Sequence, residues 1–166
     1  FSHFEILLAA TYQGVGERAV EVAAEHVAKR RSVKNQTTYS NDPDIRWRIA
    51  EAALIMNAVG PQIRELARDI DEGVDRGRSW MPQLSAAKNA AAEATLRAVE
   101  QAMRACGGSA YYNTHELSRL YRDALAGLFQ PSDQESLHAA WANLILGPIE
   151  KAQGRGRNEA GAAARH

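Results

Sequence analysis

The sequence predicts an all-α fold, an antiparallel four-helix bundle with a short additional C-terminal helix. Three observations carry this prediction. Apolar residues recur at spacings near three and four through long stretches of the chain. The stretches are joined by short or moderate segments rich in Ser, Asn, Gly and Pro. No segment shows the strict apolar–polar alternation of a half-buried strand.

The first helix is expected from about Phe4 to Arg31, with Ile6, Leu7, Ala10, Val15, Ala19, Val22, Ala23 and Val27 forming one stripe and Gly14 and Gly16 marking a loose or closely packed turn. The polar run "RRSVKNQTTYSNDPD" reads as a loop. Asn41 or Asp42 caps the second helix and Pro43 lies in its first turn, where a missing amide costs least. Its stripe runs from Ile45 through Met56 and Ile63 to Ile70, with a kink expected at Gly60–Pro61. Ser79 is the expected cap of a third helix over about Gln83 to Arg104. Its many alanines let neighbours approach on several faces, which makes it central. Gly107–Gly108 is its left-handed stop. A fourth helix starts at Asn113 or Thr114, places Glu116 in its first turn and turns Leu117, Leu120, Tyr121, Ala124 and Leu128 inward. "QPSD" ends it, and a fifth helix from Ser132 or Asp133 carries Leu137, Trp141, Leu144 and Ile145 to the Gly147–Pro148 stop. One domain over residues 1–150 and a disordered tail over 151–166 are expected.

Composition narrows the function classes. Twenty basic and twenty acidic residues cancel among 166, without a long run of one sign, so nucleic acid is not an expected partner. No apolar run has the roughly 18 residues of a membrane span. A single cysteine, Cys106, excludes an internal disulfide and a cysteine-rich zinc site, and points to a reducing, cytoplasmic setting. The start at Phe1 rather than Met suggests a fragment or a processed product.

The residues offer no ready catalytic centre. The five histidines do not supply the two Glu-x-x-His motifs on facing helices that bundle metal centres use, and Glu25–His26 and His115–Glu116 are adjacent pairs. No Gly-x-Ser-x-Gly elbow exposes a serine nucleophile. Cys106 reads as packing, and the tryptophans and tyrosines as core or interface residues. No catalytic residue and no metal ligand is therefore assigned.

The order of features nonetheless resembles the C-terminal domain of the acyl-CoA dehydrogenase superfamily, especially the branch containing flavin-dependent monooxygenases. "AAEHVAKRRS" places His26 and Arg30 on that family's Ala-x-x-Tyr-x-x-x-Arg pattern, and "NDPDIRWRIAEA" matches the opening of its second helix. "SAAKNAAAEA" with Lys88 matches the Ala-x-Lys stretch of the third, "CGGSAYY" its glycine stop, "SRLYRDALAG" the Arg–Asp pair as Arg122–Asp123, and "LILGP" the closing Leu-Gly. The resemblance spans about Ala9 to Pro148.

It implies a bundle of a flavin-dependent oxidoreductase that contributes to flavin binding and to a homo-oligomer, dimer or tetramer, and is inactive alone. The implied cofactor is FAD or FMN, and the substrate an acyl-CoA or a hydrophobic or aromatic molecule. By resemblance Arg30, Gly107, Gly108 and Arg122 are the cofactor-side residues. A guanidinium suits a diphosphate, and glycine lets backbone amides come close to an anion. Read from the residues alone, Arg30 is an exposed base at a helix C-terminus, stabilised by the helix dipole, and Arg122–Asp123 an internal pair. Acyl-CoA dehydrogenases commonly hold a glutamate nine residues after that arginine, and several monooxygenase relatives a histidine eight after it. Here these positions are Pro131 and Gln130, which cannot move a proton near neutral pH. The alternative function is a stand-alone helical interaction module without cofactor.

Overall fold

The computed structural model describes residues 2–150 and contains α1 (Ser2–Lys29), α2 (Pro43–Asp71), α3 (Trp80–Cys106), α4 (Glu116–Leu125) and α5 (Gln134–Leu146), with short 3₁₀ turns between them. Among the described residues there is no strand, only an isolated bridge between Arg31 and Thr38 that closes the α1–α2 loop. The tail expected over 151–166 lies outside the described residues.

α3 is the axis of the bundle, packing against α1, α2, α4 and α5. Its alanines explain why: Ala87, Ala91, Ala92, Ala98, Ala102 and Ala105 are all buried, and small side chains on several faces allow helix axes to approach closely. Two apolar clusters result. One joins Ile6, Ala9, Tyr12, Met56, Ile63, Leu66 and Leu84. The other joins Ala19, Val22, Val99, Ala102, Cys106, Leu117 and Leu120, nearer the C-terminal end of α3. Fully buried side chains such as Leu84 and Leu117 contribute about 1.5–3 kcal/mol each.

The local stops follow their chemistry. Asp42 caps α2, its carboxylate accepting the amides of Asp44 at 3.0 Å and Ile45 at 3.2 Å, with Pro43 directly behind. Asp42→Ala is expected to cost about 1 kcal/mol, read as a fall of roughly 2–4 °C in thermal midpoint. Asp133 caps α5 in the same way through the Ser136 amide. Gly107 and Gly147 end α3 and α5 at φ values of +71° and +83°, where a side chain would be strained.

Several expectations require correction. α1 passes through Gly14 and Gly16 without a turn. A Cβ at Gly16 would collide with the thioether of Met56 and touch Thr95 Oγ1, so this glycine serves close packing, whereas Gly14 faces open space. As expected, Pro61 lies inside α2, which runs unbroken from Pro43 to Asp71. Ser79 stands at the N-cap of α3, but its hydroxyl donates to the Arg76 carbonyl and accepts from Gln83 instead of capping. Arg76 in turn grips the Asp69 carboxylate, tying the end of α2 to the start of α3. α4 begins at Glu116 and its cap is His115, whose Nδ1 accepts the Leu117 amide at 3.2 Å. α5 lies on the surface: none of its residues is buried, Ile145 is largely exposed, and Trp141 donates from Nε1 to the Pro82 carbonyl.

Candidate functional site

The C-terminal ends of α1 and α3 meet the N-terminus of α4 at one edge of the bundle. α1 closes with the Arg30 amide donating to the His26 carbonyl at 3.1 Å, and the Arg30 carbonyl accepts the Tyr39 amide at 2.9 Å. These bonds fix the Arg30 backbone, and its guanidinium lies 5.0 Å from the centre of the Tyr39 ring, a cation–π contact. Nη1 of Arg30 reaches across to the last carbonyl of α3, donating to Cys106 O at 3.0 Å and to Ser109 Oγ at 3.3 Å. The positive group thus neutralises the negative end of α3 beside the Gly107–Gly108 turn. Arg30 and the glycines, 77 and 78 residues apart in sequence, form one exposed edge.

The two glycines differ. The Gly107 amide donates to the Met103 carbonyl, so it is committed to ending the helix. Gly108 is exposed, has no left-handed φ, and a Cβ there would meet nothing within 4 Å. Packing among the described residues gives no reason for glycine at that position. Arg30 and Gly108 together fit a phosphate-bearing group, since only Nη1 of the exposed guanidinium is engaged among the described residues.

Arg122 stands elsewhere on this end of the molecule. It lines a surface hollow with Met103, Tyr111, Tyr112, Asn113, Ser118 and Tyr121, and donates to Ser118 Oγ at 3.3 Å. It does not pair with Asp123, whose carboxylate takes Arg119 at 3.0 Å one helical turn away. Arg18 on α1 locks the start of α4 by gripping both oxygens of Glu116 at 3.0 and 3.1 Å, which holds that carboxyl below its usual range.

Beneath the edge lie His26, Cys106 and His115. The two imidazoles meet edge to face with centroids 5.4 Å apart. Burial, then His115 and Arg30, lowers the pKa of His26. Burial pushes the Cys106 thiol up to about 11, with Arg30 opposing. Sequence spacing does not reveal this grouping, because it is assembled from three helices.

The segment "FQPSD" is held by buried polar groups. Lys88, fully buried on α3, donates from Nζ to the carbonyls of Gly127 at 2.9 Å, Gln130 at 2.7 Å and Ser132 at 3.2 Å. Asn89 also donates to the Ser132 carbonyl, and the Ser132 amide donates to Oε1 of buried Glu5 at 3.0 Å. Gln130 is committed inward: its Oε1 accepts the Tyr12 hydroxyl at 2.8 Å. Sequence reasoning missed Glu5 altogether and treated Lys88 only as part of a motif.

With this geometry in place, the comparisons with known proteins are specific. The family model for the acyl-CoA dehydrogenase C-terminal domain matches residues 1–129. YdbM of Bacillus subtilis (strain 168), assigned as an acyl-CoA dehydrogenase, is 30% identical over 122 residues, covering 74% of this chain and 32% of its own. Among solved structures, an acyl-CoA dehydrogenase from Geobacillus kaustophilus superposes with a TM-score of 0.78 at 19% identity, over 87% of this chain and 36% of that one. Butyryl-CoA dehydrogenase from Megasphaera elsdenii gives 0.77 at 20% identity, over 86% and 36%. The chain spans about a third of the length of these relatives.

Proposed function

The chain belongs to the acyl-CoA dehydrogenase family, whose C-terminal helical domain it forms, and on that premise we propose that it serves a flavin-dependent oxidoreductase by holding the flavin at the α1–α3 edge and by joining subunits through its helices. The observation that carries this reading is the placement of Arg30 against the Gly107–Gly108 turn, which puts a fixed cation beside a backbone with no side chain to obstruct a ligand. Arg30 supplies charge to a diphosphate, Gly108 supplies close approach, and Gly107 sets the turn. Arg122, in the Tyr111–Tyr112 hollow beyond that turn, supplies a second cation for the nucleotide end. The cofactor is FAD, or FMN offering its single phosphate to Arg30 with no nucleotide end for Arg122, and the flavin, when bound, carries the electron chemistry.

In this reading the bundle binds and orients; proton transfer belongs to groups other than Gln130 and Pro131, because Gln130 is engaged by Tyr12 and Pro131 has no proton to give. The substrate is an acyl thioester or a hydrophobic or aromatic molecule, and the assembly a dimer or tetramer. Exposed apolar side chains, among them Leu7, Leu54 and Phe129, support assembly through the helices. No helix among the described residues is long and apolar enough to cross a membrane. A reduced, buried Cys106 fits the cytoplasm.

The test uses the full-length protein produced with FAD or FMN, reading retained flavin by absorbance and assembly by light scattering. Arg30→Ala is expected to weaken flavin binding about 10- to 150-fold, the range for losing a charged hydrogen bond. Gly108→Ala is expected to weaken it too while shifting stability by less than about 0.5 kcal/mol, since its Cβ meets open space. Undiminished flavin retention in both variants would remove the assignment.

A further inference from the structure

His26 from α1, Cys106 from the end of α3 and His115 from the cap of α4 each present one ligand atom, all within 4.8 Å of one another. Packing does not require this set. At Cys106 any small apolar side chain would serve, and at an N-cap Ser, Asp or Asn serves better than histidine. We propose that the three residues form a binding site for a single zinc-class divalent ion.

The donor chemistry selects the metal. Two imidazoles and a thiolate suit a borderline-soft ion such as Zn²⁺ and suit the oxygen-seeking Mg²⁺ and Ca²⁺ poorly. Three protein ligands leave a fourth tetrahedral position for water. Zinc bonds of about 2.0–2.3 Å bring neighbouring donors to roughly 3.3–3.8 Å, so the cluster draws in by about an ångström on loading. His26 and His115 are only partly buried, which leaves the ion a way in, while Cys106 closes the inner side. Binding displaces the thiol proton to solvent as the metal–sulfur bond forms. Arg30, bonded to the Cys106 carbonyl, opposes added positive charge, so the site suits an exchangeable ion over a permanent one.

His115 supplies an internal reporter. Its Nδ1 accepts the Leu117 amide. A metal at Nδ1 competes with that amide, and a metal at Nε2 moves the imidazole proton onto Nδ1; either way the cap is released. Loading would clamp the ends of three helices around Gly107–Gly108 and loosen the first turn of α4. This inference stands whether or not flavin lies at that edge.

The full-length protein, stripped with a chelator, is titrated with Co²⁺ and then with Zn²⁺ in competition. The expected result is one equivalent per chain, a cobalt–thiolate charge-transfer band, and a faster-exchanging Leu117 amide once loaded. Cys106→Ala, His26→Ala and His115→Asn should each abolish the band and weaken zinc binding at least about 100-fold, since loss of a group that only supports a ligand already costs about 10- to 100-fold. His115→Asn keeps an amide oxygen for the α4 cap, so it reports on the metal even where Cys106→Ala fails to fold. His138→Ala, at an exposed histidine of α5, is the unchanged control. No thiolate band, a band surviving Cys106→Ala, or unchanged zinc affinity in His26→Ala and His115→Asn overturns the proposal.

Discussion

Lys88→Ala is expected to destabilise the domain by about 3–5 kcal/mol, lowering its thermal midpoint by roughly 6–20 °C. Lys88 is fully buried, and its ammonium satisfies three carbonyls of the segment that follows α4. Burial draws its pKa below the ordinary lysine value while Glu5 and Asp133 pull it back. Removing the ammonium strands those carbonyls and deprives Glu5, itself buried with Oε2 lacking a hydrogen-bond partner among the described residues, of its nearby cation. Lys88→Met separates the polar loss from the loss of volume: it fills the space and should still cost most of that amount. Adding Glu5→Gln to Lys88→Met should recover part of the loss, because the uncompensated buried charge is gone; the double-mutant coupling, read from denaturant unfolding, is expected between about 0.5 and 3 kcal/mol. A Lys88→Met variant within about 0.5 kcal/mol of the parent would show that the three carbonyls find other partners.

The same residues show where sequence reasoning reaches and where it stops. Asp42–Pro43, Gly107 and Gly147 were legible because each acts through local chemistry: a carboxylate facing the first amides of its own helix, or a backbone angle only glycine tolerates. The central place of α3 was legible from its alanines. Glu5 and Lys88 were not, since a periodicity count scores charged residues as surface, and the carbonyls that hold Lys88 lie 39 to 44 residues further on. α4 starts later than the sequence predicts: Asn113 and Thr114 are better caps by type, whereas the observed cap is His115. In the sequence His26 and His115 stand only in adjacent pairs with glutamates and Cys106 as a lone thiol, because only the packing of α1, α3 and α4 brings them together. Arg30 was singled out by family resemblance; its contact with the Cys106 carbonyl follows from tertiary structure alone.

Gly127→Val is expected to be the second large lesion, at about 1–3 kcal/mol or somewhat more. A Cβ on Gly127 would stand 2.7 Å from Ala92 Cβ and 3.0–3.1 Å from the Tyr12 ring. Neither neighbour can step aside. Ala92 is fixed to the buried face of α3, and Tyr12 is 5% exposed and tethered through its hydroxyl to Gln130. The movement must fall on residue 127 itself, whose carbonyl is one of the three that hold Lys88. One substitution therefore strains the packing of α1 on α3 and loosens the cage around the ammonium at once. Gly127→Ala should show the same direction at a smaller magnitude, and Gly108→Ala, facing open space, should leave stability within about 0.5 kcal/mol. Hydrogen exchange separates the two outcomes. Strain confined to packing leaves the Ser132 amide protected by Glu5, whereas displacement of the segment exposes it. Exposure is the expected result, because Ser132 and Gln130 share with Gly127 the bonds to Lys88 and cannot hold position once it shifts. The physical reason for the inward fixing of "FQPSD" is then a lysine cage closed by a glycine, and Gln130 is kept by Tyr12 as part of that closure.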